Sequence, residues 1–91
     1  MEDSVMDTLQ ARFEIIGFEN PDLGQLLHSV LVGRGASIAS VLVAPLSAPE
    51  TGDHLMHATV IATLPGDISL RSAGHAIEEI SDDLSVVAVA A

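Results

Sequence analysis

From Leu9 onward apolar and polar residues alternate: Leu9, Ala11, Phe13 and Ile15 fall on one side, Gln10, Arg12 and Glu14 on the other. A period of two marks a strand with one buried face. Ile16 and Phe18 then break the alternation, so the outer face turns apolar toward the strand's end. Residues 17–21 read as a loop and Asn20-Pro21-Asp22 as a helix start. Asparagine caps, proline at the first helical position forfeits no needed hydrogen bond, and aspartate complements the helix dipole. Leu23, Leu26, Leu27, Val30 and Leu31 recur at i, i+3, i+4, i+7 and i+8, which is one apolar face of an α-helix. Gly33 and Gly35 supply a left-handed stop.

Residues 37–44 are β-rich, with Ile38, Val41, Leu42 and Val43 apolar on both faces, the pattern of a strand that is central or covered on both sides. Two prolines and a glycine make 45–53 a loose hairpin loop. Met56, Ala58, Val60, Ala62 and Leu64 alternate with His57, Thr59, Ile61 and Thr63 as a third strand, ended by Pro65-Gly66-Asp67. A second helix is predicted over 69–81, with Leu70, Ala73, Ile77, Ile80 and Leu84 as its stripe, and a last strand over 85–90. The order strand, helix, strand, strand, helix, strand is the ferredoxin-like βαββαβ plan of the α+β class. It implies a four-stranded antiparallel sheet with both helices on one face. The other face then carries Ile16, Phe18 and Ile61, and exposed apolar sheet of this kind tends to be an interface. A homodimer is expected.

At 91 residues the chain fits a single domain over 9–91, preceded by a disordered acidic arm over 1–8. Thirteen acidic residues stand against three basic ones, Arg12, Arg34 and Arg71, for a net charge of −10. Nucleic acid and direct membrane contact are both disfavoured, because each needs clustered cations. With neither Trp nor Tyr, the chain also lacks the stacking platforms of single-strand binders. The absence of cysteine removes disulfides and thiolate chemistry. Met1-Glu2-Asp3-Ser4 is acidic where a signal peptide is basic, and the apolar stretch 38–46 is too short to span a bilayer. The expected compartment is the cytoplasm.

The segment 17–43 resembles the ACT domain, a small regulatory module appended to amino-acid metabolic enzymes. Pro21 and Gly35 stand 14 positions apart and Ile38 follows three later, spacings similar to that family's. Leu27, Val30 and Leu31 match its helix core, and Gly35-Ala36-Ser37-Ile38 its helix-to-strand turn. Asp22 departs from the pattern, standing where glycine usually follows the proline; glycine comes at Gly24. The resemblance implies a non-catalytic regulatory domain that dimerises and binds a small, amino-acid-like effector, with no cofactor. It places the effector between Asn20, Asp22, Leu23, Gly24 and Gln25 on one wall and Gly35, Ala36 and Ser37 on the other. Leu23, Gly24 and Gln25 would offer backbone N–H groups. The run Ile80-Ser-Asp-Asp-Leu-Ser-Val-Val-Ala-Val89 is similar to the end of the soluble carboxy-terminal domain of MgtC-type membrane proteins. That resemblance implies a metal-responsive or transport-associated domain instead. A ligand-free structural or protein-interaction module is the remaining alternative.

Other candidate chemistry is sparse. His54 and His57, with Met56, Glu50 and Asp53 nearby, have metal-ligand character, but two positions three apart on a strand point to opposite faces. His28 lies off the first helix's main stripe. His75 is explained by pairing with Glu78 or Glu79. Gly33-Arg34-Gly35 is too short for a phosphate loop, although Arg34 could pair with a carboxylate. There is no nucleophile-elbow motif, and the chain is not expected to be an enzyme.

Overall fold

Strand β1 (Leu9–Phe18) buries Ala11, Phe13 and Ile15 completely and turns Arg12, Ile16 and Phe18 outward. Helix α1 (Leu23–Gly33) follows, then β2 (Ser37–Leu46), β3 (Leu55–Leu64), helix α2 (Leu70–Glu78) and β4 (Ser85–Ala90). This computed structural model describes residues 8–46 and 54–91. The acidic arm expected over 1–8 lies outside them except for Thr8. The hairpin loop expected over 45–53 also lies outside them, except for Pro45 and Leu46, which belong to β2.

All strand pairs are antiparallel, in the order β2-β3-β1-β4. Both central strands alternate: β3 buries Met56, Ala58, Val60, Ala62 and Leu64 and turns the residues between them to the other face. Leu23, Leu27 and Leu31 of α1, with Ala73 and Ile77 of α2, close the core over the sheet's inner face. The ferredoxin-like α+β arrangement is therefore present, with two helices covering one side of a four-stranded sheet.

The sheet order corrects the expectation for β2. It is an edge strand, not a central one, and Leu42 and Val43 are 68% and 42% exposed. Only part of its apolar set packs on the core: Ile38 and Val41 do so. A register shift between Ile38 and Ser40 interrupts the ladder, and Pro45, which has no N–H to donate, is at home on an edge.

The helix ends also move inward. α1 begins at Leu23, after a turn at Pro21-Asp22. α2 begins just after Ser69, whose hydroxyl accepts the Ser72 N–H at 3.0 Å. It ends at Glu78, three residues before the expected Ser81, and the Ile80 amide donates to Ile77 in a closing turn. Ile80 and Leu84 still pack against the core. Gly35 makes the left-handed stop, at φ +90°, while Gly33 remains helical. Gly17 belongs to β1, not to a loop. A Cβ there would lie 2.6 Å from Leu84 Cδ2 and 3.0 Å from the Asp83 carboxylate, so the turn before β4 rides closely over the strand.

Candidate functional site

The β1–α1 loop is built by several local bonds. The Glu19 amide donates to the His54 carbonyl at 2.8 Å and the Asn20 amide to the Met56 sulfur at 3.1 Å. Asn20 Oδ1 accepts the Asp22 N–H at 2.9 Å, while the Asn20 carbonyl accepts that of Leu23. Asn20, expected as the N-cap, instead organises the turn ahead of the helix, through a side chain that mimics a backbone turn. Asp22 holds the N-cap position but makes no side-chain capping bond.

The expected site residues divide into two groups. Asn20, Asp22, Leu23, Gly24 and Gln25 gather at the start of α1. Leu23 is buried in the core with its amide already engaged, so it anchors the loop and offers no N–H. A Cβ on Gly24 would meet only Val43 Cγ2, at 3.9 Å, which leaves that approach open. Gly35, Ala36 and Ser37 lie past the other end of α1. Eight helical residues, Leu26 to Gly33, separate the groups, about 12 Å at 1.5 Å per residue. One protomer therefore does not bring both walls around one ligand. Ala36 is buried and its amide donates to Leu31. Gly35 and Ser37 instead line a cavity of about 490 Å³ with Thr63, Pro65 and Asp67.

The loop's neighbour on β1 is secured by Asp83. Its carboxylate accepts the Phe18 N–H at 2.8 Å and the Ser81 hydroxyl. The Ser81 hydroxyl first, and then the Phe18 amide, hold the Asp83 carboxyl below the usual carboxylate range. A carboxyl depressed in the folded state adds stability above its unfolded pKa, and that stability is lost as pH falls through the folded value. Asp83→Asn is therefore expected to lower the urea midpoint at pH 7, with the gap to wild type closing below about pH 4. Equal gaps at pH 7 and pH 3 would contradict this assignment.

The open sheet face carries a feature that sequence reasoning missed. His57 Nε2 lies 2.6 Å from Glu14 Oε1, and Arg12 Nε lies 3.3 Å from Glu14 Oε2. The His57 and Glu14 side chains are each about a third exposed. His57 stands directly across from Ile16 and Arg12 across from Ile61, so the polar trio is set among apolar neighbours. Ile16, Phe18, Leu42, Val87 and Val89 are exposed by 43, 54, 68, 58 and 37%. Each has an aliphatic or aromatic surface turned away from the helices.

Of the suggested metal ligands, His57 is engaged by Glu14, and His54 precedes β3 with its carbonyl taken by Glu19. Glu50 and Asp53 lie outside the described residues. Among the described residues, no group of three or more His, Asp or Glu side chains could hold a metal ion, and no helix is long and apolar enough to cross a membrane. His28 is exposed, and His75 pairs with Glu78 at 3.4 Å.

The sequence matches no family profile and no curated protein. Solved structures share the fold. A formyltetrahydrofolate deformylase from Pseudomonas putida KT2440 superposes with a TM-score of 0.67 at 10% identity, over 90% of this chain and 29% of that one. The C-terminal domain of the MgtC protein from Mycobacterium tuberculosis gives 0.64 at 14% identity, over 100% and 94%. The ligand-free regulatory subunit of aspartate kinase from Thermus thermophilus gives 0.52 at 19%, over 96% and 53%. The chain thus spans under a third of the deformylase and about half of the kinase subunit. At these identities the likeness establishes shape alone: a ferredoxin-like fold, shared with a kinase regulatory subunit and with the MgtC C-terminal domain.

Proposed function

We propose that the chain is a non-catalytic regulatory module of the cytoplasm that pairs with a second copy and binds a small, amino-acid-like effector at the β1–α1 loop. The observation that carries this reading is the uncovered sheet face, where Ile16, Phe18, Leu42, Val87 and Val89 are exposed together. Apolar surface on that scale favours association, and a module whose work is done by association and ligand binding needs no catalytic group. The fold shared with a kinase regulatory subunit supports the regulatory part of the reading.

For the effector, the start of α1 offers a carboxylate the amides of Gly24 and Gln25. Asp22, with no capping bond of its own, is placed to meet an ammonium group. Asn20 shapes the turn that holds them. Gly35 and Ser37 enter such a site only from the second copy, since α1 separates them from the loop within one protomer; Ala36, buried in the core, supports them.

Thermal unfolding with a panel of amino acids tests the effector. A species that binds only the folded form at a hundred times its Kd adds about 2.7 kcal/mol, or roughly 10 °C or more for a domain of this size. Failure of every amino acid to raise the midpoint up to millimolar concentration would remove the effector and leave a ligand-free interaction module. A rise with zinc, copper or nickel that disappears in His54→Ala with His57→Ala would favour the metal-responsive reading.

A further inference from the structure

Two of the chain's three basic residues, Arg34 and Arg71, line a single cavity of about 540 Å³ on the helical side of the molecule. Arg34 follows the last turn of α1 and Arg71 lies in the first turn of α2, so the two antiparallel helices bring them together from 37 positions apart in sequence. Ser69, Ser72 and His75 share the lining, and Glu79 stands there as well. A second hollow of about 430 Å³, also lined by Arg34 and Glu79, adjoins it along Val30 and Ile80.

The charge arrangement runs against the chain's composition. With a net charge of −10, carboxylates are abundant, yet the ion pairs seen among the described residues belong to Arg12, His57 and His75 and not to Arg34 or Arg71. Arg34 and Arg71 both line this hollow; two cations brought near each other repel, and an anion between them reverses the sign of that interaction. The positive end of the α2 dipole adds to the same field. Guanidinium forks match the geometry of phosphate and carboxylate oxygens, and serine hydroxyls can donate alongside them. Glu79 in the same lining disfavours a ligand that is anionic throughout.

We propose that this groove is a binding site for a small molecule held by one compact oxyanion, a phosphate monoester or a carboxylate, between Arg34 and Arg71. The rest of the ligand is neutral or cationic and lies toward Glu79. The site is distinct from the β1–α1 loop, which is at the opposite end of α1, and it does not depend on the effector reading.

The test is an amide chemical-shift titration of the full chain at fixed ionic strength, with inorganic phosphate in one arm and acetate in the other. Saturable shifts centred on residues 34–36 and 69–76 are expected in at least one arm, and the responding arm names the oxyanion class. Arg34→Gln and Arg71→Gln, both at exposed positions, are each expected to weaken binding about tenfold. Arg12→Gln, on the far side of the sheet, should leave binding unchanged. The proposal is overturned if neither anion saturates below about 10 mM, if the Arg34 and Arg71 variants bind like wild type, or if Arg12→Gln weakens binding equally. That last result would mean general charge screening.

Discussion

Replacing Phe13 with alanine is expected to cost about 3–5 kcal/mol, the range for truncating a fully buried aromatic ring. Phe13 has no solvent exposure. It lies at the middle of β1, across from Val60 on β3 and Ala88 on β4, where the neighbours on both sides are smaller than the ring. Those strand partners cannot fill the cavity left behind. Domains of this size hold only about 5–15 kcal/mol in total, so the variant should unfold at a much lower urea concentration. Arg12 and Glu14 flank Phe13 and point to the opposite face, so loss of the ring should also loosen the Glu14–His57 pair. A midpoint within about 1 kcal/mol of wild type would mean that the core is not organised around β1.

The second large effect concerns association. Leu42 on β2 and Val87 on β4 lie on opposite edges of the open face and are 68% and 58% exposed. Glutamate at both positions should change protomer stability little, because exposed substitutions usually fall within about 0.5 kcal/mol. In a face-to-face pair the same changes bring uncompensated charges into an apolar contact. A buried unpaired charge costs several kcal/mol, so the doubly substituted chain is expected to dissociate at concentrations about a thousandfold higher than wild type or more. Sedimentation of wild type and Leu42→Glu/Val87→Glu reads this directly. A wild-type chain that is monomeric at about 100 μM, or a variant that stays paired, would rule out this face as the interface.

The buried line Leu23, Leu27 and Leu31 of α1, the stripe of α2 and the alternation of β1 and β3 were legible from spacing alone, since each face has one environment and the side chains follow its period. Leu26, expected in the α1 stripe, lies at its margin and is 37% exposed. β2 was misread because apolar residues on both sides fit a buried central strand and equally an edge strand with one exposed apolar face. Pro45 carried the deciding signal, because a strand that can spare a ladder donor belongs on an edge. The Glu14–His57 pair had no local signature. Forty-three positions separate the two residues, and they meet only once the β1–β3 register is known. The same holds for Arg34 and Arg71, whose neighbourhood depends on two helices running in opposite directions. The division of the expected effector residues follows from α1 itself: the glycine turn and the proline loop are close in sequence but stand at its two ends.

The shifted register after Ile38 and the proline near the end of β2 bear on how copies of this chain can accumulate. A free strand border with an unbroken row of donors and acceptors would recruit further borders without limit, giving fibres instead of closed particles. Here the extra residue distorts β2 early in its pairing with β3, and Pro45 brings an imide nitrogen with no hydrogen near its end. Both features disfavour addition of a further strand along the β2 border, so uncovered aliphatic surface on the face need not bring with it open-ended growth at that edge.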